Sequence, residues 1–172
     1  MRRRFTGMVL LTAVIVAAFY VGNALATAPV GFVGSTIAVG RFSDIDALNQ
    51  YVAPNTVPPS DIWLSLQRTK GLSDLYVQSN VWAPGGSTGW HTHPGHSLII
   101  VTQGTVTAYE GDDHDCKPTV YTQGMGFLDP GGSHVHNLRN EGAVEARTVA
   151  VQIIPAGAAR RIDASYGGPC RF

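Results

Sequence analysis

The chain has 172 residues, with 12 basic and 12 acidic side chains and 44% hydrophobic residues. That is enough for one domain with a buried core, and too balanced in charge to recruit nucleic acid or an anionic membrane surface. After residue 4 the longest basic run is Arg160-Arg161.

Residues 1–26 read as a secretory signal. Arg2-Arg3-Arg4 is a basic start, Met8–Val21 is an apolar run broken by Thr12, and Ala24-Leu25-Ala26 places small residues where a signal peptidase reads them. Cleavage is expected after Ala26, which leaves 9 basic against 12 acidic side chains. The alternative is an uncleaved anchor over residues 5–21, about 17 residues and short for a bilayer span. The expected location is secreted or extracytoplasmic, or else membrane-anchored by residues 5–21.

Residues 27–60 carry Pro29, Pro54, Pro58 and Pro59 and read as an irregular lead-in. One short helix is expected over Asp44–Tyr51, with Ser43 as N-cap and acids in the first turn. From residue 61 to 172 the pattern is that of strands. They are expected at Ile62–Leu66, Leu75–Ala83, Leu98–Thr102, Thr105–Tyr109, Thr119–Tyr121, Gly126–Leu128, Val135–Arg139 and Ala146–Ile154. Gln103-Gly104 reads as a tight hairpin link. Short strands at this spacing, without crossover helices, predict an all-β antiparallel sandwich or barrel. Cys116 and Cys170 lie outside the strand patterns, and in an exported chain an even count predicts one disulfide.

Five of the six histidines fall in two glycine-flanked segments, His91, His93 and His96 in one and His134 and His136 in the other. Imidazole is a common ligand for transition metals, and His91 and His93, two apart, leave the same face of an extended chain. His114, within Glu110–Asp115, reads as a solvated turn residue, and that acidic turn lacks the ligand alternation of a calcium loop.

The spacing of these segments resembles the cupin family. That family's first motif is glycine, five residues, His-x-His, three or four residues, glutamate, six residues, glycine. The chain has Gly85, His91-Thr92-His93, Ser97 and Gly104 at matching intervals, with serine in place of the glutamate. For the second motif it has Gly124, Pro130-Gly131-Gly132, His136 and Asn140, with one extra residue before His136. The resemblance covers residues 75–155 and implies a small antiparallel jelly-roll β-barrel.

It also implies one divalent transition metal (Fe, Mn, Zn, Ni or Cu) on His91, His93 and His136, with His134 the alternative third ligand. Without the glutamate the site is of a three-histidine type, which resembles that of thiol dioxygenases. His96 and His134 are the candidate acid/base groups, since neither cysteine has a recognisable histidine partner and no serine sits in a nucleophile elbow. The expected ligand or substrate is a small molecule, and the rival reading is a non-catalytic binding module. Both faces of Leu98–Val101 are apolar, so one must pack on the N-terminal segment or on a partner chain, and a homodimer is a further expectation.

Overall fold

The computed structural model describes residues 27–53, 62–165, 170 and 172. The signal or anchor segment 1–26 lies outside them. Among the described residues every regular element is a strand, and no helix is long and apolar enough to cross a membrane. In chain order the strands are β1 (Val30–Phe42), β2 (Asp46–Val52), β3 (Ile62–Arg68), β4 (Ser73–Ser87), β5 (His91–Thr92), β6 (Ser97–Gln103), β7 (Thr105–Glu110), β8 (Thr119–Thr122), β9 (Gly126–Asp129), β10 (His136–Arg139), β11 (Ala146–Pro155) and β12 (Ile162–Asp163).

Ten strands form one sheet folded into two halves. One half is β1-β4-β11-β6-β9 and the other is β12-β5-β10-β7-β8. All pairs are antiparallel, and the long β4 joins the halves where Ser87 pairs with Arg139 of β10. This is the expected jelly-roll barrel.

Three local expectations fail. The irregular lead-in contains the 13-residue strand β1, which pairs with β4 over almost its whole length. Its β-branched and aromatic side chains favour that pleated surface over an irregular path. The helix expected over Asp44–Tyr51 is strand β2, paired residue for residue with β3 from Asp46–Arg68 to Val52–Ile62. Eight residues form a marginal isolated helix, and a complete ladder outcompetes it. Third, Gln103-Gly104 joins no hairpin: β6 pairs with β11 and β9, whereas β7 pairs with β10 and β8. Gly104, at φ 67°, turns a corner between the halves, and a Cβ there would lie 2.7 Å from the Glu145 carbonyl oxygen.

The barrel's closed end is apolar, built from Trp82, Val101, Val106, Ala108, Leu138 and Ala146, with Phe32, Tyr121 and Phe127 packed against them. Strict alternation on β11 sends Ala146, Thr148, Ala150, Gln152 and Ile154 inward. On β6 the inward residues are Ser97, Ile99 and Val101, while Leu98 and Ile100 are more than half exposed on the outer face. The Arg41 guanidinium donates to both carboxylate oxygens of Asp74 at 2.8 and 2.9 Å, tying the ends of β1 and β4 together.

The chain's C-terminal end packs on the second half of the barrel. Cys170 is disulfide-bonded to Cys116, as expected, and is buried with Trp90 and Tyr109. Phe172 sits edge-on to Tyr109 at 4.7 Å, under the Arg139 guanidinium at 4.1 Å. The bond closes a loop of 54 residues, so the chain-entropy model assigns it about 4 kcal/mol. Replacing both cysteines by serine should lower the unfolding free energy by that amount in denaturant titrations. An unchanged midpoint would show that the aromatic contacts alone hold the tail.

Candidate metal centre

His91 lies on β5 and His136 begins β10, and the two are direct partners in the antiparallel ladder. Their ring centroids are 4.4 Å apart. His93, two residues beyond His91, reaches the same side, with its ring 4.8 Å from His91 and 5.6 Å from His136. One nitrogen from each ring lies within 4.8 Å of the others. Bonds of about 2.1 Å to one ion require separations of roughly 3–3.5 Å, so an ion held here would draw the three nitrogens closer together.

The outer nitrogens of His91 and His93 are already fixed. His91 Nδ1 donates to the Gly89 carbonyl at 2.8 Å, and His93 Nδ1 donates to the Arg160 carbonyl at 2.5 Å. A carbonyl only accepts, so both neutral rings turn a lone pair on Nε2 inward, the arrangement that orients imidazole ligands.

The extra residue before His136 is absorbed in the turn. Gly131 and Gly132 both have φ near 66°, the Gly132 amide donates to the His93 carbonyl, and the His134 amide donates to the Gly131 carbonyl. A Cβ on Gly131 would lie 2.3 Å from the Gly95 carbonyl oxygen, so only glycine lets the two motif loops touch. The slack is gone before β10 begins, and His136 joins His91 and His93. Asn140, at the far end of the second motif, is fully buried and structural: its side chain donates to the Trp82 and Val144 carbonyls and accepts from the Gly142 amide.

The two candidate acid/base histidines are not brought into this cluster's cavity. His96 faces the outside of the barrel, in a cleft with Thr69, Lys70 and Pro155. Its position next to inward-facing Ser97 sends it to the opposite face. His134 lies beyond His136, with ring centroids 5.7 Å apart, and its Nε2 is 2.7 Å from the Glu110 carboxylate.

The histidines open onto a cavity of about 210 Å³ inside the barrel. Ile99, Leu138, Ala150, Phe32 and Trp82 form its apolar wall, and Gln78, Asn80, Thr148, Gln152, Arg160 and Arg161 its polar one. Among the described residues, two buried donors there have no hydrogen-bond acceptor, the indole Nε1 of Trp82 and Nη2 of Arg161. Asp129, only 4% exposed, also lines the cavity beside the histidines. Sequence reasoning missed Asp129, Arg160 and Arg161. The period-two pattern of β9 carried a signal for the aspartate, since core-facing Phe127 implies an inward Asp129.

Residues 81–152 match the family model described as a cupin domain. This part of the protein is a cupin domain. No curated protein matches this cupin in sequence. Among solved structures it is similar to Peruvianin-I, a cysteine peptidase from Thevetia peruviana latex, with 26% identity over 54% of this chain and 56% of that one and a TM-score of 0.44. It is also similar to the polyketide cyclase RemF from Streptomyces resistomycificus, with 20% identity over 53% and 62% of the two chains and a TM-score of 0.44. A third is an oxalate oxidase, 25% identical over 48% of this chain and 46% of that one, with a TM-score of 0.40. The cupin thus spans about half the length of several structures it matches.

Burial keeps the cluster in its ligand form. It pushes the His91 imidazole down to about 2, with His136 and Arg161 adding repulsion. It pushes His136 down to about 4 against the pull of Asp129, and lowers His93 despite the hydrogen bond to Arg160. The unfolded chain takes up these protons below about 6.5 while the fold does not, so the metal-free protein is stabilised above that pH and loses stability as pH falls toward 4. Thermal melts of chelator-treated protein should show that decline, and the variant with His91→Asn and His136→Asn should flatten it. An equal slope in both proteins would contradict the assignment.

Proposed function

We propose that this cupin is a metal-dependent oxidoreductase of the dioxygenase type, which takes a small carboxylate-bearing molecule into its barrel cavity. The observation that carries the reading is the convergence of three neutral imidazoles, His91 and His136 buried and His93 partly so, at the wall of a cavity inside the barrel, with the outer nitrogens of His91 and His93 anchored. The donor set suits a divalent first-row ion, with His91, His93 and His136 as its imidazole ligands. Such an ion, as Fe(II), supplies the redox chemistry toward O₂ that no side chain here can.

The chain's own residues do the rest. The apolar wall shields part of a bound molecule from water, and the cavity volume of about 210 Å³ limits that molecule to a small one. Arg161 Nη2 and Trp82 Nε1 offer donors that a carboxylate satisfies, and Arg160 is held in place by Gln152 and by Thr36 of β1. A second reading, binding without turnover, draws on Ser97 standing where the family's first motif has a glutamate.

Export fits the disulfide and the amino-terminal signal pattern together. A second copy of this chain is the proposed cover for the exposed apolar side chains Leu98, Ile100 and Leu128 on the outer face of β6 and β9.

Protein purified after growth with supplemented metals should hold about one first-row ion per chain by elemental analysis, and His91→Ala should lose it. The iron-loaded form should consume O₂ with members of a panel of small carboxylates. Arg161→Gln should weaken their binding about 10-fold or more, the loss of one charged hydrogen bond. Metal-free protein would sink the reading, and bound carboxylate with no O₂ uptake in any metal form would leave the binding module.

A further inference from the structure

Ser97 removes the carboxylate from the position where the first cupin motif carries one, yet the site is not short of a carboxylate. Ser97 on β6 and Asp129 on β9 are direct partners in the antiparallel ladder, and both are 4% exposed. Their side chains therefore stand side by side on the inner face. Ser97 Oγ accepts a hydrogen bond from Gln152 at 3.3 Å and takes no part in the histidine cluster. Asp129 does: its Oδ2 is 3.4 Å from His93 Nε2, and its Oδ1 is 3.7 Å from His136 Nδ1.

We propose that Asp129 is the carboxylate ligand of the metal centre, supplied across the sheet from β9 in place of the residue at position 97. The proposal rests on the metal-binding reading above. Asp129 is anchored through one oxygen, since Oδ1 accepts from the Gly131 amide at 2.9 Å. The other oxygen, Oδ2, is buried and has no hydrogen-bond donor among the described residues. It faces His93 Nε2, which carries a lone pair because His93 Nδ1 donates to the Arg160 carbonyl.

Two buried acceptors aimed at each other repel, and a buried carboxylate oxygen left unpaired is costly. A metal ion bonded to both removes the conflict. Bonds of about 2.1 Å place neighbouring ligands roughly 3.0–3.4 Å apart, and the observed separation needs almost no adjustment. His136 Nδ1, likewise buried without a hydrogen bond, flanks the same carboxylate.

The consequence is electrostatic. Three neutral histidines leave a dication its full charge, whereas Asp129 halves it and strengthens retention of the ion. The centre becomes three imidazoles and one carboxylate with the acid moved one strand over. Asp129, His134 and His136 form a second grouping of possible ligands. Single variants at His91 and His134 separate the two.

The test measures Zn(II) affinity of the full chain by competition with a chromophoric chelator, with Co(II) spectra as a second readout. Asp129→Asn keeps the acceptor for the Gly131 amide and should leave the circular dichroism of the metal-free protein unchanged. Its Zn(II) dissociation constant should rise by about 10-fold or more, and its Co(II) visible bands should shift. Adding Ser97→Glu to Asp129→Asn should restore affinity, which a merely structural aspartate would not allow.

In the wild type, Zn(II) should shift a carboxylate stretching band that ¹³C-aspartate labelling identifies, a readout independent of any variant. Unchanged affinity in Asp129→Asn, with loss in His91→Ala, would overturn this proposal and leave the three-histidine site standing. Loss in His134→Ala with retention in His91→Ala, or no Zn(II) binding by the wild type, would overturn both.

Discussion

His91 and His136 face each other across β5 and β10, and the chemistry available to the cavity depends on that one pairing. It brings together two strand residues that are 45 positions apart in the chain. The pairing is enforced from both sides. Thr88 Oγ1 accepts from the Leu138 amide, Ser87 donates to Asn137, and the Gly85 amide and carbonyl-bearing Gly86 bracket Asn140. Below the histidines the glycine-rich loops touch through the Gly132 amide and the His93 carbonyl. A register slip of one residue would turn His136 out of the barrel and Asn137 in.

The interior is divided along its length. At one end Val101, Val106, Ala108 and Ala146 close it with apolar packing. Toward the other, the same alternating strands send in Ser97, Thr148, Gln152 and Asp129, with Arg160 and Arg161 from the segment before β12. Polar groups on inward positions weaken a barrel unless they find partners. Most do: Asn80 donates to Thr148, and Gln152 links Ser97 to Arg160. The buried polar atoms still without hydrogen bonds include Asp129 Oδ2, His136 Nδ1, Trp82 Nε1 and Arg161 Nη2, all on residues that line the cavity. Unsatisfied groups gathered at one place are compatible with a site for an ion and a polar ligand, which would supply the missing partners.

Much of this was legible in the chain itself. Period-two alternation and turn residues placed the strands from Ile62 to Ile154, and the spacing of Gly85, His91, His93, Gly104 and His136 indicated the barrel. What local pattern could not supply was partnership. Residues 44–51 satisfied the rules for a helix start, yet the ladder between β2 and β3 decided their conformation. The Gln103-Gly104 link had hairpin chemistry, but its flanking strands belong to opposite halves of the barrel. Asp129 went unnoticed for the same reason, because its meaning lies in facing Ser97, 32 residues earlier. Arg160 and Arg161 stood out in the sequence only as a short basic run, and the chain's return places them at the cavity.

The central claim is that one ion is held at this place by residues of both motifs and of β9. Diffraction from crystals of the metal-loaded protein, recorded on either side of the metal's absorption edge, tests it most directly. The account predicts a single anomalous peak within bonding distance of His91, His93, His136 and Asp129. A peak between His134 and Glu110, or none inside the barrel of a protein that retains metal, would contradict it.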